Sequence, residues 1–285
     1  MTPSSPLNIG FSPCPNDTFI FHALTHGLVA DPRLSFAKEQ LADVESLNQW
    51  ALQGRLDISK VSFHAFGHLQ DEYLLLDAGS ALGRGCGPLL VAGKPLSADG
   101  VAGKKIAIPG NYTTAAMLLR LFAPHCDNLM VMRFEQIMPA IVAGEVDAGV
   151  IIHESRFTYP QYGLHMVQDL GLWWEEISGH PIPLGGIVAK RSLGMKKIAL
   201  VERLIRDSVR WAFAHPAASH QYIKMHAQEM DEQVTRDHIS LYVNSYSEHL
   251  GEKGIAAVRE FLCRGRAAGV IPPGRDDWFA ADNLA

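Results

Sequence analysis

The sequence lacks the features that mark several large classes of protein. Its four cysteines, at positions 14, 86, 126 and 263, are far apart and form no C-x-x-C pair, so neither a disulfide scaffold nor a structural zinc site is expected. No apolar run reaches the roughly 20 residues of a membrane-spanning helix. There is no G-x-G-x-x-G or GxxxxGK[ST] phosphate motif and no H-E-x-x-H zinc motif. The sequence predicts no metal and no cofactor.

The charge distribution also narrows the choice of partner. The formal net charge is −5 over 285 residues, and no Lys/Arg-rich block or basic stripe is present, which argues against binding to nucleic acid. The first residues, "MTPSSPLNIGFSPCP", lack the basic and apolar regions of a secretory leader. We therefore expect a cytoplasmic protein without membrane insertion, and both a monomer and a homodimer remain open.

Two stretches of the chain share one order of predicted elements. The first alternates strand-like "LNIGFS", "LSFAKEQ" and "LDISKVSFH" with helix-like "TFIFHALTHG" and "VESLNQWALQG". The second alternates "KKIAIPG", "LMVMRF" and "VDAGVIIHE" with "TTAAMLLRLFAP" and "EQIMPAIVAG". In each, a glycine (Gly54 or Gly144) lies three residues before an aspartate (Asp57 or Asp147), as expected where a helix ends and a buried strand follows. The pattern predicts an α/β protein with two βαβαβ lobes.

The remaining segments indicate how the two lobes are connected. "GPLLVAGKPLSADGVAGKK" and "PIPLGGIVAKRSL" are interpreted as two crossing segments, and the chain after Ser192 has helical periodicity. We expect lobe one to comprise residues 1–92 and 191–285, with its helical C-terminal region packed on it. Lobe two, residues 93–190, is then an insertion, and the active site lies in the cleft between the lobes.

Candidate site residues follow from the rule that parallel α/β sheets bind ligands beyond the carboxyl ends of their strands. Asn16 and Asp17 follow the first strand and open a helix; Asp17 could cap that helix or accept hydrogen bonds from substrate hydroxyls. Lys60 and Ser62 lie at the end of the third strand. A buried lysine needs a partner, so Lys60 is expected to form a salt bridge, bind a carboxylate or present its backbone to the ligand.

The second lobe supplies matching candidates. In "PGNYTTA", Thr113 and Thr114 open a helix whose N-terminal amides suit a carboxylate or a phosphate; the alternative is that Thr113 only caps the helix. In "DAGVIIHESR", residues 147–156, an apolar strand leads to His153, Glu154 and Arg156. Histidine has the ordinary pKa closest to neutral and suits proton transfer. A capping or surface histidine is the simpler alternative.

Two resemblances extend these predictions. The segment "AIVAGEVDAGVIIHE" is similar to a helix-to-strand junction of the type II periplasmic-binding-protein fold. Seven segments, among them "SPCPNDTF", "DISKVSFHAF", "IAIPGNYTTAAMLL" and "IIHESRFTY", together resemble the 1,4-dihydroxy-6-naphthoate synthases of the futalosine route to menaquinone. The resemblance covers most of the chain and implies a two-lobed type II periplasmic-binding-protein-like fold.

The resemblance also implies a reaction and a set of roles. The family is expected to act as a carbon–carbon lyase that cleaves cyclic dehypoxanthine futalosine, a small carboxylate, to 1,4-dihydroxy-6-naphthoate and a sugar-derived fragment. His153 would be the proton acceptor. The substrate contacts would be Lys60-Val61-Ser62 and Thr113-Thr114. Chorismate dehydratase of the same pathway and a solute-binding protein for a small carboxylate remain alternatives with a similar fold.

Overall fold

The computed structural model describes residues 5–153, 155–227 and 231–283. The first part of the chain contains β1 (Ile9–Phe11), α1 (Pro15–Thr25), β2 (Gln40–Leu41), α2 (Val44–Leu52), β3 (Ile58–Ser62), α3 (Phe63–Phe66), β4 (Tyr73–Leu75) and β5 (Ala81–Gly83). The middle part contains β6 (Leu89–Ala92), β7 (Ile106–Ile108), α4 (Thr114–Phe122), β8 (Leu129–Val131), α5 (Phe134–Val142), β9 (Ala148–Ile151), α6 (Ser155–Thr158), β10 (His165–Asp169) and α7 (Leu170–Ser178). The last part contains β11 (Ile182–Lys190), α8 (Met195–Ala214), α9 (His220–His226), α10 (Glu232–Tyr242), α11 (Ser245–Glu248) and α12 (Gly251–Ala267).

These elements form two mixed sheets of the same plan. The first has the order β2-β1-β3-β11-β4, with β5 also paired to β11, and the second has the order β10-β6-β9-β7-β8. In each sheet three parallel strands come from one βαβαβ unit, with the first strand of the unit in the middle. The predicted two-lobed α/β fold is confirmed.

The glycine and the aspartate that recur between helix and strand have the same structural role in both lobes. Gly54 and Gly144 have φ values of 64° and 74°, the left-handed conformation that glycine adopts without strain after a helix. The carboxylate of Asp57 accepts from the Asn8 amide at 2.8 Å, and that of Asp147 accepts from the Lys105 amide at 2.9 Å. Each aspartate therefore ties the closing strand of its lobe to the opening strand.

The helical C-terminal region packs mainly on the first lobe. The hydroxyl of Ser208 on α8 donates to the Ile20 carbonyl of α1 at 2.6 Å and accepts from the Leu24 amide at 3.1 Å. Helix α12 packs on α3 and β11, and at Gly265 a side chain would collide with Met117 of the second lobe. One apolar core consequently includes residues of both lobes.

Four sequence-based boundaries differ from those in the structure. Strand β6, at residues 89–92, lies in the second sheet, and β11, at residues 182–190, lies in the first. The chain therefore passes from one sheet to the other near residues 84–88 and returns near residues 179–181, not at 92 and 190. Residues 34–40 were predicted as a strand, but they contribute only an isolated bridge at Phe36 and the first residue of β2. Helix α1 begins at Pro15 and not at Thr18, because proline's fixed φ suits the first helical turn.

Candidate active site

The residues predicted from the sequence surround one cavity between the lobes. It measures about 100 Å³, and its lining includes all eight of them: Asn16, Asp17, Lys60, Val61, Ser62, Thr113, Thr114 and His153. A second pocket of about 400 Å³ adjoins it, and the two share Val44 and His153 in their linings. His153 therefore stands between an inner cavity and an outer pocket.

A buried ion pair forms part of the inner wall. The Lys60 ammonium lies 3.0 Å from an Asp17 carboxylate oxygen and donates to the Gly79 carbonyl at 2.8 Å. Asp17 also accepts from the Ser12 amide, and both charged side chains are more than 90% buried. Of the roles left open for Lys60, the salt bridge is present. Two of its three N–H donors are thereby used, and the third has no acceptor within residues 5–153, 155–227 and 231–283.

The end of β3 is held close to the neighbouring strand. Asn48 of α2 accepts from the Ser62 amide at 2.9 Å and donates to the Ser62 hydroxyl at 3.3 Å. On the other side β3 pairs with β11, where a side chain at Gly185 would lie only 2.9 Å from the Val61 carbonyl. Because Gly185 has no side chain, this part of the cavity stays open beside Val61 and Ser62.

The loop before α4 is latched to the first lobe. Its amides at Asn111 and Tyr112 donate to the two carboxylate oxygens of Glu45 on α2, at 3.0 and 3.2 Å. At Gly110 a side chain would lie 2.4 Å from the same carboxylate. Burial raises the pKa of Glu45, against four hydrogen bonds that lower it. The structure is thus in a closed arrangement in which Glu45 of the first lobe binds the loop before α4 of the second.

Helix α4 nevertheless presents unused donors to the cavity. Thr113 caps the helix by accepting from the Ala116 amide at 3.2 Å, and the Thr114 hydroxyl donates to the Leu184 carbonyl of β11 at 2.6 Å. Among the residues that the structure describes, nothing accepts from the amides of Thr114 and Ala115, and both residues line the inner cavity. These two amides, with the positive end of the helix dipole, suit a carboxylate.

His153 is placed by a strained turn. Strand β9 ends at Ile151, and His153 follows two residues later with φ 57°, a conformation that costs a non-glycine residue about 1–3 kcal/mol and often marks an active site. The ring lies edge-on to Phe134, with centroids 5.1 Å apart, and its Nδ1 is 3.9 Å from the Cys14 sulfur of the first lobe. Glu154, which follows, lies outside the described residues.

Several polar groups near the cavity have structural partners. The Nδ1 of His64 donates to the Thr113 carbonyl at 3.0 Å, and burial lowers the pKa of His64 to about 4. Arg156 pairs with Asp169 at 2.7 Å and does not meet Asp17. Asn16 and Asp17 lie in the first turn of α1, and neither is its N-cap, which is Cys14. These contacts hold the lobes and the loops around the cavity.

The described part of the chain contains neither a group of metal ligands nor a membrane-spanning helix. Within residues 5–153, 155–227 and 231–283 no group of three or more His, Cys, Asp or Glu side chains is arranged to hold a metal ion. The pairs His22/His26 and His64/His68 have i,i+4 spacing, but neither gains a third ligand there. No helix in the described part of the chain is long and apolar enough to cross a membrane.

Sequence reasoning missed three residues that the fold brings to the site. Glu45 on α2 latches the second lobe, Cys14 approaches His153, and His238 on α10 lies against His153 with ring centroids 5.9 Å apart. His238 is 85 residues from His153 along the chain, and α10 has no motif that distinguishes it. Only Cys14 lay in a segment already singled out, the loop before α1.

The fold defines a class of protein, the two-lobed α/β proteins of the type II periplasmic-binding-protein kind. The alkanesulfonate-binding protein SsuA from Xanthomonas axonopodis superimposes with a TM-score of 0.71 over 96% of both chains at 14% sequence identity, a likeness of fold alone. Protein AF1704 from Archaeoglobus fulgidus superimposes with a TM-score of 0.87 over 94% of this chain and 99% of that chain at 34% identity.

The sequence comparisons identify the family within this class. The menaquinone biosynthesis family matches residues 7–267, and the chain belongs to it. A 1,4-dihydroxy-6-naphthoate synthase from Thermus thermophilus is 48% identical over 267 residues, which cover 94% of this chain and 96% of the relative. The synthase of the same name from Streptomyces coelicolor is 46% identical, over 93% and 95% of the two chains.

Proposed function

We propose that this protein is a 1,4-dihydroxy-6-naphthoate synthase, a cytoplasmic lyase of menaquinone biosynthesis. Its substrate is cyclic dehypoxanthine futalosine, and its products are 1,4-dihydroxy-6-naphthoate and a sugar-derived fragment. One observation carries the proposal: all eight residues predicted from the sequence line a single cavity whose wall includes His153. The relatives from Thermus and Streptomyces supply the name of the activity.

The substrate carboxylate is assigned to the inner end of the cavity. Thr114 and Ala115, the first two residues of α4, line the cavity, and the helix dipole favours a negative charge there. The third N–H of Lys60 is available on the opposite lobe. A carboxylate bound between them would strengthen lobe closure, because its partners come from both lobes.

His153 is assigned the first proton transfer. The substrate carries a ketone on a ring fused to its carboxylated aromatic ring, so a proton next to the carbonyl is acidic. Its removal starts an eliminative ring cleavage, after which the second ring is aromatic. A histidine base contributes about 10²–10⁴-fold to such a step. The Ser62 hydroxyl, on a residue that lines the cavity, is assigned to the stabilisation of the enolate, and lobe closure is assigned the exclusion of water.

The proposal is tested by incubating the purified protein with cyclic dehypoxanthine futalosine, without added cofactor, and following the products by mass spectrometry. We expect 1,4-dihydroxy-6-naphthoate to appear in step with substrate loss. Chorismate, the substrate of the sister dehydratase, serves as the control and should remain unchanged. Conversion of chorismate with no conversion of the futalosine compound would contradict the proposal, as would binding of either compound without turnover.

A further inference from the structure

The outer pocket has no role in the mechanism above, although His153 connects it to the inner cavity. An engineered cavity of about 150 Å³ holds a single benzene ring, so the inner cavity of about 100 Å³ cannot enclose a fused bicyclic substrate with its sugar-derived part. The carboxylate end is assigned to the inner cavity by α4. The hydroxyl-bearing end must therefore extend past His153 toward the outer pocket of about 400 Å³.

His238 lines the outer pocket, and a chain of hydrogen bonds determines its tautomer. The ionised Asp17 carboxylate, paired with Lys60, can only accept, so the 3.0 Å contact from Asn16 comes from the amide nitrogen. The Asn16 oxygen must then face His238, whose Nε2 lies 3.1 Å away. An oxygen accepts, so His238 Nε2 carries the proton and its Nδ1 is a bare acceptor.

That acceptor has no partner among the described residues. His238 is 1% exposed, and its Nδ1 contacts no donor in the described part of the chain. Burial, with the neighbouring His153 as a second cause, lowers the pKa of His238 to about 3, so the ring is neutral at pH 7. The ring is consequently an acceptor of hydrogen bonds and not a base.

The position of His238 gives a substrate access to this atom. His238 belongs to α10, packed on the first lobe, whereas His153 belongs to the second lobe, so opening of the cleft separates the two rings. Because the two rings stack, a donor for the bare nitrogen approaches in the plane of the His238 ring, from the outer pocket that this residue lines. A buried acceptor that gains its missing donor recovers the cost of its desolvation.

We propose that Nδ1 of His238 accepts a hydrogen bond from a hydroxyl of the sugar-derived part of the substrate, which makes His238 a substrate-binding and specificity-determining residue. This inference rests on the proposed function and assigns the outer pocket to the hydroxyl-bearing end. It also explains the series of hydrogen bonds through Lys60, Asp17 and Asn16, because these contacts hold His238 in the accepting tautomer.

The test is a double-mutant cycle between the enzyme and the substrate. Kinetics and calorimetric affinities are measured for wild type and H238F with the natural substrate and with analogues deoxygenated in the sugar-derived part. We expect the wild type to lose about 5- to 150-fold in kcat/KM when the recognised hydroxyl is removed, mostly through KM. H238F should lose a similar factor with the natural substrate and discriminate no further between the compounds.

Two further variants separate binding from folding. H238N can place its amide oxygen, an acceptor, near the position of Nδ1 and should restore part of the discrimination. His22 is a matched control, since its Nδ1 is also buried without a partner among the described residues but lines neither pocket; H22F should discriminate as the wild type does.

Wild-type enzyme that accepts every deoxy analogue equally would overturn the inference without any variant, and so would full discrimination by H238F. Wild-type enzyme that does not convert the natural substrate would instead contradict the proposed function, and this inference would fall with it.

Discussion

The ion pair between Lys60 and Asp17 gives a prediction whose size follows from its burial. The two charges lie 3.0 Å apart, and both side chains are more than 90% buried. Replacing Lys60 by methionine preserves the apolar stem but leaves the Asp17 carboxylate buried without a cation. Breaking such a pair from one side costs about 3–5 kcal/mol of unfolding free energy. Over 285 residues, an unfolding entropy of about 2.1 cal/mol/K per residue converts this loss into a fall in Tm of about 5–8 °C.

The double variant distinguishes the pair from ordinary packing. Replacing Asp17 by asparagine in the K60M background removes the unpaired charge and keeps an acceptor for the Ser12 amide. We expect this second change to restore part of the loss, because contacting residues couple by about 0.5–3 kcal/mol. The control is K190M, because Lys190 and Asp57 are 3.6 Å apart and more than 20% exposed; its cost should stay below about 1 kcal/mol.

The assay is urea unfolding followed by tryptophan fluorescence, with calorimetry for Tm. Losses of K60M and D17N that simply add would refute the reasoning, because they would show no coupling between the two charges. A K60M loss no larger than that of K190M would refute it as well.

Three further predictions follow from the lobe contacts. Glu45→Ala removes the acceptor of the Asn111 and Tyr112 amides; X-ray scattering should show a larger radius of gyration, and an unchanged radius would mean that Glu45 is no latch. Thr114→Val leaves the Leu184 carbonyl without its donor. The loss of this hydrogen bond, about 1 kcal/mol, should raise KM several-fold, and an unchanged KM in steady-state kinetics would contradict this. His64 has its pKa lowered to about 4, so the unfolded chain binds this proton below about pH 6.5 and the native protein does not. Stability should then fall by about 3 kcal/mol from pH 6.5 to pH 4, and urea titrations should show a shallower fall for H64N.

Much of the fold could be predicted because it depends on local signals. The glycine and aspartate at Gly54/Asp57 and Gly144/Asp147 mark equivalent junctions, and both aspartates bind the opening strand of their own lobe. The lobe boundaries were wrong because β6 and β11 are apolar segments in either sheet, and only long-range pairing decides which sheet they join. Strand β2 was misplaced because residues 34–40 alternate in hydrophobicity but form few ladder bonds.

The candidate site divides in the same way. Lys60, Thr113 and His153 could be found because they lie near strand ends or helix starts, where parallel sheets place ligands. Glu45 and His238 could not, because each reaches the site from a helix that the sequence pattern presents as ordinary. The left-handed turn at His153 also escaped prediction, since a histidine after an apolar run is compatible with several backbone conformations.

The most direct test of the account is the turnover number of H153N on cyclic dehypoxanthine futalosine. Asparagine tolerates the left-handed conformation at φ 57° better than most residues, so the turn should persist while the base is lost. We predict that kcat falls by about 10²–10⁴-fold, with substrate affinity by calorimetry close to that of the wild type. A variant that binds the substrate and forms 1,4-dihydroxy-6-naphthoate at the wild-type rate would contradict the assignment of His153 as the base.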